Sequence, residues 1–418
     1  MKKKIGIFLI SLVLLATLAF GLVGCTKKDK GQNSNKPVQI TKKTLKIGVL
    51  HIGAEADKMG YTAAHENGIK DMIQTLKLDN KQVVRKWSVS DTDDSKINNS
   101  IQALIDEGCN VIIGTSFGYQ NAMLNFANKY KNILFSHGTG YLHNDTNMNN
   151  YFGKIYQARY LAGMVAGLKA KDTGSNILGY VSAFGNSIAE TVSGFNAFYL
   201  GAKAVNPDVT MKVDLLNSWY DPEKELTKAQ NLIDAGARVI SHHSDTVNVC
   251  KAAADKGAYS VGYNTDMRTV GEVGDSVLTS VVWNWSTYYT KLINAILDPN
   301  KGFKSIGQYY EGLAEGLLKI TDFSKEVHNI RTSAYIDAVK NLINDKDWDV
   351  FSGKALKFTD PGYGPVEVEQ VPMDFKGRRK EGGALETVIK SGEAVPYSVI
   401  QGTMDYILEG IEGGFDKK

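Results

Sequence analysis

Aromatic rings and short polar side chains recur together along this chain, each time beside the end of a short apolar run. Asp57 and Tyr61 fall within 53–62, Phe117 and Gly118 within 116–119, and His137 and Tyr141 within 137–141. Phe184 and Asn186 stand in 183–186, Trp219 in 217–221 and Asp245 behind His243 and Ser244. Asp266 follows Asn264 and Thr265, and Trp283 precedes Asn284 and Trp285. A ring face stacks on a flat heterocycle, worth roughly 1–3 kcal/mol per base. Asp and Asn pair with ring nitrogens, amino groups or sugar hydroxyls. No Lys or Arg cluster accompanies these positions, which argues against a phosphate-bearing ligand. The set therefore suits a flat, uncharged guest with a polar edge. Its candidate contacts are Asp57, Tyr61, Phe117, Gly118, Phe184, Asn186, Trp219, Asp245, Asp266 and Trp283.

Catalytic alternatives find less support. The seven histidines include no pair at a metal-binding helical spacing, and His65-Glu66 has no second His three residues on. His65 and His137 are expected to support the site rather than hold a metal. A nucleoside hydrolase would need clustered aspartates on calcium. Asp91, Asp93 and Asp94 read instead as a turn and a helix N-cap run. The chain has no phosphate-binding Walker loop, no dinucleotide glycine fingerprint and no Gly-x-Ser-x-Gly elbow. Binding without chemistry and without a cofactor is the expectation. Sequence does not separate transport from ligand sensing.

The residues sit where strands should end. Strand-like runs are 45–51, 83–89, 111–115, 133–137, 177–182, 211–216, 239–242, 260–263 and 277–283. Helix-like segments lie between them at 59–76, 95–107, 120–130, 155–169, 188–204, 222–235, 247–256 and 285–297. Such alternation predicts an α/β protein with parallel sheets covered on both faces. In open α/β sheets ligands bind beyond the carboxyl ends of the strands. Ser95 is placed as an N-cap, and Asp221-Pro222-Glu223 as a cap followed by a first-turn proline and acid. Gly108, Gly236 and Gly257 each follow a helix, where a left-handed C-cap is wanted. Gly163 and Gly167, four apart, allow a neighbouring element to come close. The alternation falls into two similar blocks, about 44–143 and 151–280, joined by an Asn- and Asp-rich linker at 142–150. Near the end, Ile400, Met404, Ile407, Leu408 and Ile411 read as one helical stripe.

The N-terminus reads as a targeting segment. Lys2, Lys3 and Lys4 precede an apolar stretch over 5–21, and Leu22-Val23-Gly24 leads into Cys25. Basic start, apolar middle and small residues before the cut make a secretory leader. A cysteine after the cut is the lipoprotein form, so Cys25 is the expected lipidation site. Residues 26–43 hold few apolar side chains and read as a flexible tether. The composition is that of a globular protein, 43% hydrophobic and 22% charged. The formal net charge of +3 falls to zero once the three leader lysines are removed. That argues against nucleic acid or an anionic membrane surface as the main partner. Cys109 and Cys250 are expected to be buried fillers, not a disulfide framework.

The motifs resemble the basic membrane protein family of ABC-transporter substrate-binding lipoproteins, the purine-nucleoside-binding type, over roughly residues 44–350. The resemblance rests on Asp57-Lys58 with Gly60-Tyr61-Thr62 and His65, on 116–119 and on 137–141. Tyr151-Phe152-Gly153-Lys154-Ile155-Tyr156-Gln157-Ala158-Arg159-Tyr160-Leu161-Ala162-Gly163 is its most specific stretch, followed by 194–198, 219–222 and 283–285. It implies two Rossmann-like lobes joined by a hinge, the type I periplasmic-binding-protein fold, closing on a purine base or nucleoside. It implies delivery to an ABC permease by a monomer, lipid-anchored on the extracytoplasmic face of the cell membrane. Asp57 and Tyr61 match the family's acid and base-stacking aromatic, and Phe117, Phe184, Trp219 and Asp266 match cleft positions. Tyr61 stands where Phe or Trp is usual, Gly185-Asn186-Ser187 lacks the usual proline, and no ribose-anchoring lysine is evident. A free base is thus as much expected as a nucleoside. The expected divisions are a leader over 1–24, a tether over 25–43, a first lobe over 44–143 completed by part of 284–377, a second lobe over 144–283 and a helical tail over 378–418.

Overall fold

The computed structural model describes residues 39–416, so the expected leader, Cys25 and the expected tether up to residue 38 lie outside the described residues; residues 39–43 of that expected tether instead pack on the first lobe, with Ile40 buried and Lys42 Nζ donating to Leu76 O. Five parallel strands build the first lobe: β1 (Ile47–Leu50), β2 (Val83–Lys86), β3 (Val111–Gly114), β4 (Leu134–Gly138) and β5 (Met148–Gly153). Their order is β2-β1-β3-β4-β5. The strands alternate with α1 (Gly60–Leu76), α2 (Asp94–Asp106) and α3 (Gln120–Lys129). β1 and β3 are buried at every position, as their unbroken Ile-Gly-Val-Leu and Val-Ile-Ile-Gly runs require for strands covered on both faces.

The chain then enters the second lobe through α4 (Ile155–Asp172). There β6 (Ile177–Ser182), β7 (Thr210–Leu215), β8 (Val239–His243), β9 (Tyr259–Asn264) and β10 (Val277–Trp283) repeat the same order, β7-β6-β8-β9-β10. The helices between them are α5 (Ala189–Val205), α6 (Pro222–Asp234) and α7 (Asn248–Asp255). α8 (Trp285–Leu297) crosses back to pack on α1, and β11 (Tyr309–Glu311) joins the first sheet beside β5. β12 (Leu318–Ile320) returns to the second sheet, antiparallel to β10, and α9 (Asn329–Asn344) packs on α4. The chain thus crosses between the lobes three times. In each sheet the strand order reverses at the first strand, between β1 and β3 and between β6 and β8. That switch point opens a crevice beyond the strands' carboxyl ends.

Local signals behave as their chemistry dictates, with one exception. Asp221 caps α6 by accepting from the Lys224 N–H at 3.1 Å, with Pro222 behind it. Gly108, Gly236 and Gly257 take φ of +84°, +99° and +64°. The cap of α2, however, is Asp93 and not Ser95: its carboxylate accepts from Lys96 N at 3.0 Å. Cys109 and Cys250 are buried and free.

Two larger expectations are corrected. β5 belongs to the first lobe, so the crossing follows Gly153 and not residue 143. Its sequence, Met-Asn-Asn-Tyr-Phe-Gly, looks like a linker because of its amides. Asn149 donates to Gly307 O and Tyr288 Oη, and Asn150 to Gly140 O and Tyr310 Oη, which makes a polar strand buriable. The tail is also not helical. It forms β13 (Lys354–Thr359) paired with β14 (Glu367–Pro372), then β15 (Phe375–Arg378), β16 (Glu386–Ile389), a short α10 (Tyr397–Gly402), β17 (Ile407–Leu408) and β18 (Ile411–Gly413). β15 lies between β16 and β17, and β18 extends the second sheet parallel to β7. Ile400, Met404, Ile407, Leu408 and Ile411 are all buried, but on different elements. Asn196 of α5 accepts from Leu408 N and donates to Tyr406 O, pairing the tail backbone as a strand neighbour would.

Asn147, just before β5, ties the end of α3 to the sheet. Its amide donates to Ala127 O, Tyr130 O and Ile133 O at 2.7–3.1 Å. Asn147→Ala strands those carbonyls and is expected to cost about 2–3 kcal/mol, read as a lower urea midpoint at unchanged slope. A loss under about 0.5 kcal/mol would contradict this assignment.

Candidate ligand-binding cleft

The crevices of the two lobes face each other, and the lobes touch there. The first turn of α1 meets the end of β8: a Cβ on Gly60 would lie 2.5 Å from Asp245 O. Gly60 holds φ +76°, so a side chain is excluded twice over. The crossings meet at one point. A Cβ on Gly153 would collide with Trp283 Cζ3 and Leu317 Cδ2, both at 2.7 Å. Lys154 N donates to Glu311 O, and Asn284 N to Leu317 O.

Rings run continuously from this junction into both lobes. Trp283 stacks on Trp285 at 4.4 Å, Trp285 stacks on His65 at 4.4 Å, and Tyr61 stands edge-on to His65 at 4.4 Å. The Tyr61 hydroxyl donates to Thr115 O at 2.5 Å. On the second lobe Phe184, Trp219, His243 and Tyr263 form an edge-to-face series with steps of 5.3, 5.7 and 4.8 Å. Phe117 and Tyr141 make a further pair at 6.2 Å, 52% and 65% exposed. Trp219 is 38% exposed, so it is only partly covered by its ring neighbours.

Polar groups lie behind and beside these rings. Asp245 accepts from the Asn264 amide at 2.8 Å. Burial pushes its carboxyl up to about 7, with Asp57 adding to the rise, against the pull of the Tyr61 N–H and Asn264. Burial also raises Glu190 to about 7, against the attraction of Arg159. Arg159 is wholly buried, with Nη1 donating to Tyr180 Oη at 2.6 Å and its guanidinium over the Tyr263 ring at 4.2 Å. His243 Nε2 lies 3.4 Å from Glu190 Oε1, and burial holds its ring neutral. Arg159 Nε and Nη2, both His243 nitrogens and Asn264 Oδ1 have no hydrogen-bond partner within the protein. Buried polar atoms are normally paired, so this group calls for a guest or water.

Several strand-end residues are also engaged by the fold. Trp283 is 6% exposed and donates to Tyr263 Oη, so its ring belongs to the lobe junction. Gly118 presses its backbone on the Asp91 carbonyl, where a Cβ would sit 2.0 Å away. Asp266 caps the turn at Met267–Thr269 and faces Arg268 at 3.5 Å. Asn186 is taken by the tail, donating to Arg379 O and accepting from Asp416 N. Asp57 spends one oxygen on Ala54 N at 2.9 Å. His65 bonds Tyr289 Oη, and His137 lies against Ser116 O. Tyr61, Phe184, Trp219 and Asp245 remain as the sequence-expected residues that face the cleft's rings and unpartnered atoms. Arg159 and Glu190 join this group although they are not strand-end residues; Arg159 was detectable as the one charged residue in the first three turns of α4.

A separate cavity of about 660 Å³ lies between α4, α5 and the tail strands. None of the strand-end residues and none of the unpartnered buried atoms line it.

The raised Asp245 carboxyl has a consequence for stability. At this position the folded chain holds its proton to higher pH than the unfolded chain, 3.8 rising to about 7. Its contribution is therefore complete below the unfolded value and is lost as pH rises through about 7. Asp245→Asn is expected to gain stability over the parent chain from pH 5 to pH 8, measured by urea unfolding at both. A gap that does not widen with pH would show that burial does not dominate there.

A family model described as ABC transporter substrate-binding protein PnrA-like matches residues 44–347. The chain is 33% identical to a purine-binding protein of Brucella abortus over 317 residues, 76% of this chain and 84% of that one. It is 35% identical to a putative ABC transporter glucose-binding protein of Haloferax volcanii over 247 residues, 59% of this chain and 60% of that one. An ABC transporter solute-binding protein of Aeropyrum pernix superposes with a TM-score of 0.60 at 15% identity, over 76% of this chain and 94% of that one, a likeness of fold. The architecture is the type I periplasmic-binding-protein fold. Because the family match runs through both lobes and all three crossings, the chain belongs to the PnrA-like ABC transporter substrate-binding proteins, which hold a small molecule for an ABC permease and perform no catalysis on it.

Proposed function

We propose that this chain captures a purine base or nucleoside as a lipid-anchored monomer on the extracytoplasmic face of the membrane. One observation carries the reading: a ring series that includes the partly exposed Trp219 lines the second lobe at its strand ends, with Asp245 and Asn264 beside it. The base enters an open cleft and stacks on Trp219. Asp245, near half-protonated at neutral pH, donates to or accepts from the polar edge of the base. Closure brings Tyr61 and Asp57 over from the first lobe and excludes water. The similarity to a purine-binding protein over most of both chains supports this choice.

The second reading is a sugar, favoured by the similarity to a putative glucose-binding protein. Calorimetric titration of the body with adenine, adenosine, guanosine, hypoxanthine and glucose decides between them. Heat of binding with a purine and none with glucose is expected; glucose alone would overturn the purine reading. The anchor rests on Leu22-Val23-Gly24-Cys25. Growing the source cell with a labelled fatty acid should label this chain, and an unlabelled chain would remove the anchor from the account.

A further inference from the structure

The loop 183–188, between β6 and α5, carries Phe184 and is held from outside its own lobe core. Asp416 accepts from Gly185 N at 3.0 Å and from Ser187 N at 2.7 Å, one carboxylate oxygen to each. Asp416 N in turn donates to Asn186 Oδ1 at 3.2 Å, and Asn186 Nδ2 donates to Arg379 O at 2.9 Å. The contact is backbone on backbone: a Cβ on Gly185 would lie 2.4 Å from Gly414 O. Asp416 reaches this place because the tail before it is fixed. β18 pairs with β7, and Asn196 of α5 pairs the backbone on both sides of β17.

This segment lies beyond the family match, which ends at residue 347. We propose that the tail is a clasp on the 183–188 loop and that Asp416 is a positioning residue, setting Phe184 against Trp219 and so the outer wall of the cleft. The link to ligand rests on the reading of that wall given above; the clasp itself does not. Two N–H groups that donate to one carboxylate fix the loop's direction at its turn. With the carboxylate gone they face water, and nothing else among the described contacts of Gly185 N and Ser187 N replaces it. Phe184 then leaves the edge-to-face step of 5.3 Å that orders the Trp219 ring.

The test uses the full chain with Asp416→Ala and Asp416→Asn. Amide exchange at Gly185 and Ser187 is expected to quicken by about tenfold or more in the alanine variant, following the loss of two bonds to a charged acceptor. Acrylamide quenching of Trp219, taken as the difference from Trp219→Phe, should rise in step. The Kd for adenine should rise by about 5- to 20-fold, with Asp416→Asn between, because it keeps one acceptor oxygen. Unchanged exchange would remove the clasp. Faster exchange with an unchanged Kd and unchanged Trp219 quenching would leave the tail a purely structural strap and overturn the positioning role. If the parent chain binds no purine, the ligand reading fails on its own, and exchange and quenching still decide the clasp.

Discussion

Trp219→Ala is expected to weaken purine binding by about 5- to 140-fold, because one stacked face is worth roughly 1–3 kcal/mol and 1.4 kcal/mol is tenfold. The ring is suited to this test. It meets Phe184 and His243 in edge-to-face pairs, and the residue is 38% exposed, so little of the fold rests on it. The unfolding midpoint should move by under about 1 kcal/mol equivalent. Tyr61→Ala should also weaken binding, but less cleanly. It removes the bond to Thr115 O and the edge contact with His65, which tie α1 to its own lobe. Phe117→Ala is the comparison, since that ring pairs with Tyr141 and both are exposed. Its effect on Kd should stay under about threefold, as for a surface contact. Equal Kd values for Trp219→Ala and the parent chain would move the guest away from this wall.

The parts of the fold that were legible are those where one signal sufficed. β1, β3 and β6 are largely apolar runs between helical periods, and parallel strands buried on both faces must look like that. β5 was hidden because its burial depends on amides finding Tyr288, Tyr310 and distant carbonyls, partners up to 160 residues away. β17 and β18 were hidden for the same reason: Asn196 and the free edge of β7 define them, and the local apolar spacing suggests a helix instead. The site divides in the same way. Residues at strand ends follow from topology, so the place of Tyr61, Phe184, Trp219 and Asp245 beside the crevice was legible by position. Asn186, Asp266, Gly118 and Trp283 obey the same rule and yet serve the backbone or the junction, because position does not reveal which groups a neighbour has claimed. Arg159 and Glu190 come from helices and read as a core interruption and a first-turn acid.

Gly163→Val is expected to cost about 3–5 kcal/mol, at the upper end for a single substitution, and to disable capture with it. α4 and α5 cross with no space between backbones. A Cβ on Gly163 would lie 1.9 Å from Phe198 O, and one on Gly201 would lie 1.9 Å from Tyr160 O. Gly167 repeats the contact against Ala202 O at 2.6 Å. The obstructing atoms are carbonyls inside a helix, which no rotamer change can move, so the helices must separate. Separation acts on the cleft directly: α4 carries Arg159 and the first turn of α5 carries Glu190, and both face His243. Gly163→Ala should give a smaller loss of stability in urea with a measurable rise in Kd. Gly402→Ala, where a Cβ meets nothing within 4 Å, should change neither. If Gly163→Val kept both the urea midpoint and the Kd of the parent chain, close backbone contact between α4 and α5 would not be what spaces the charged pair behind the ring wall.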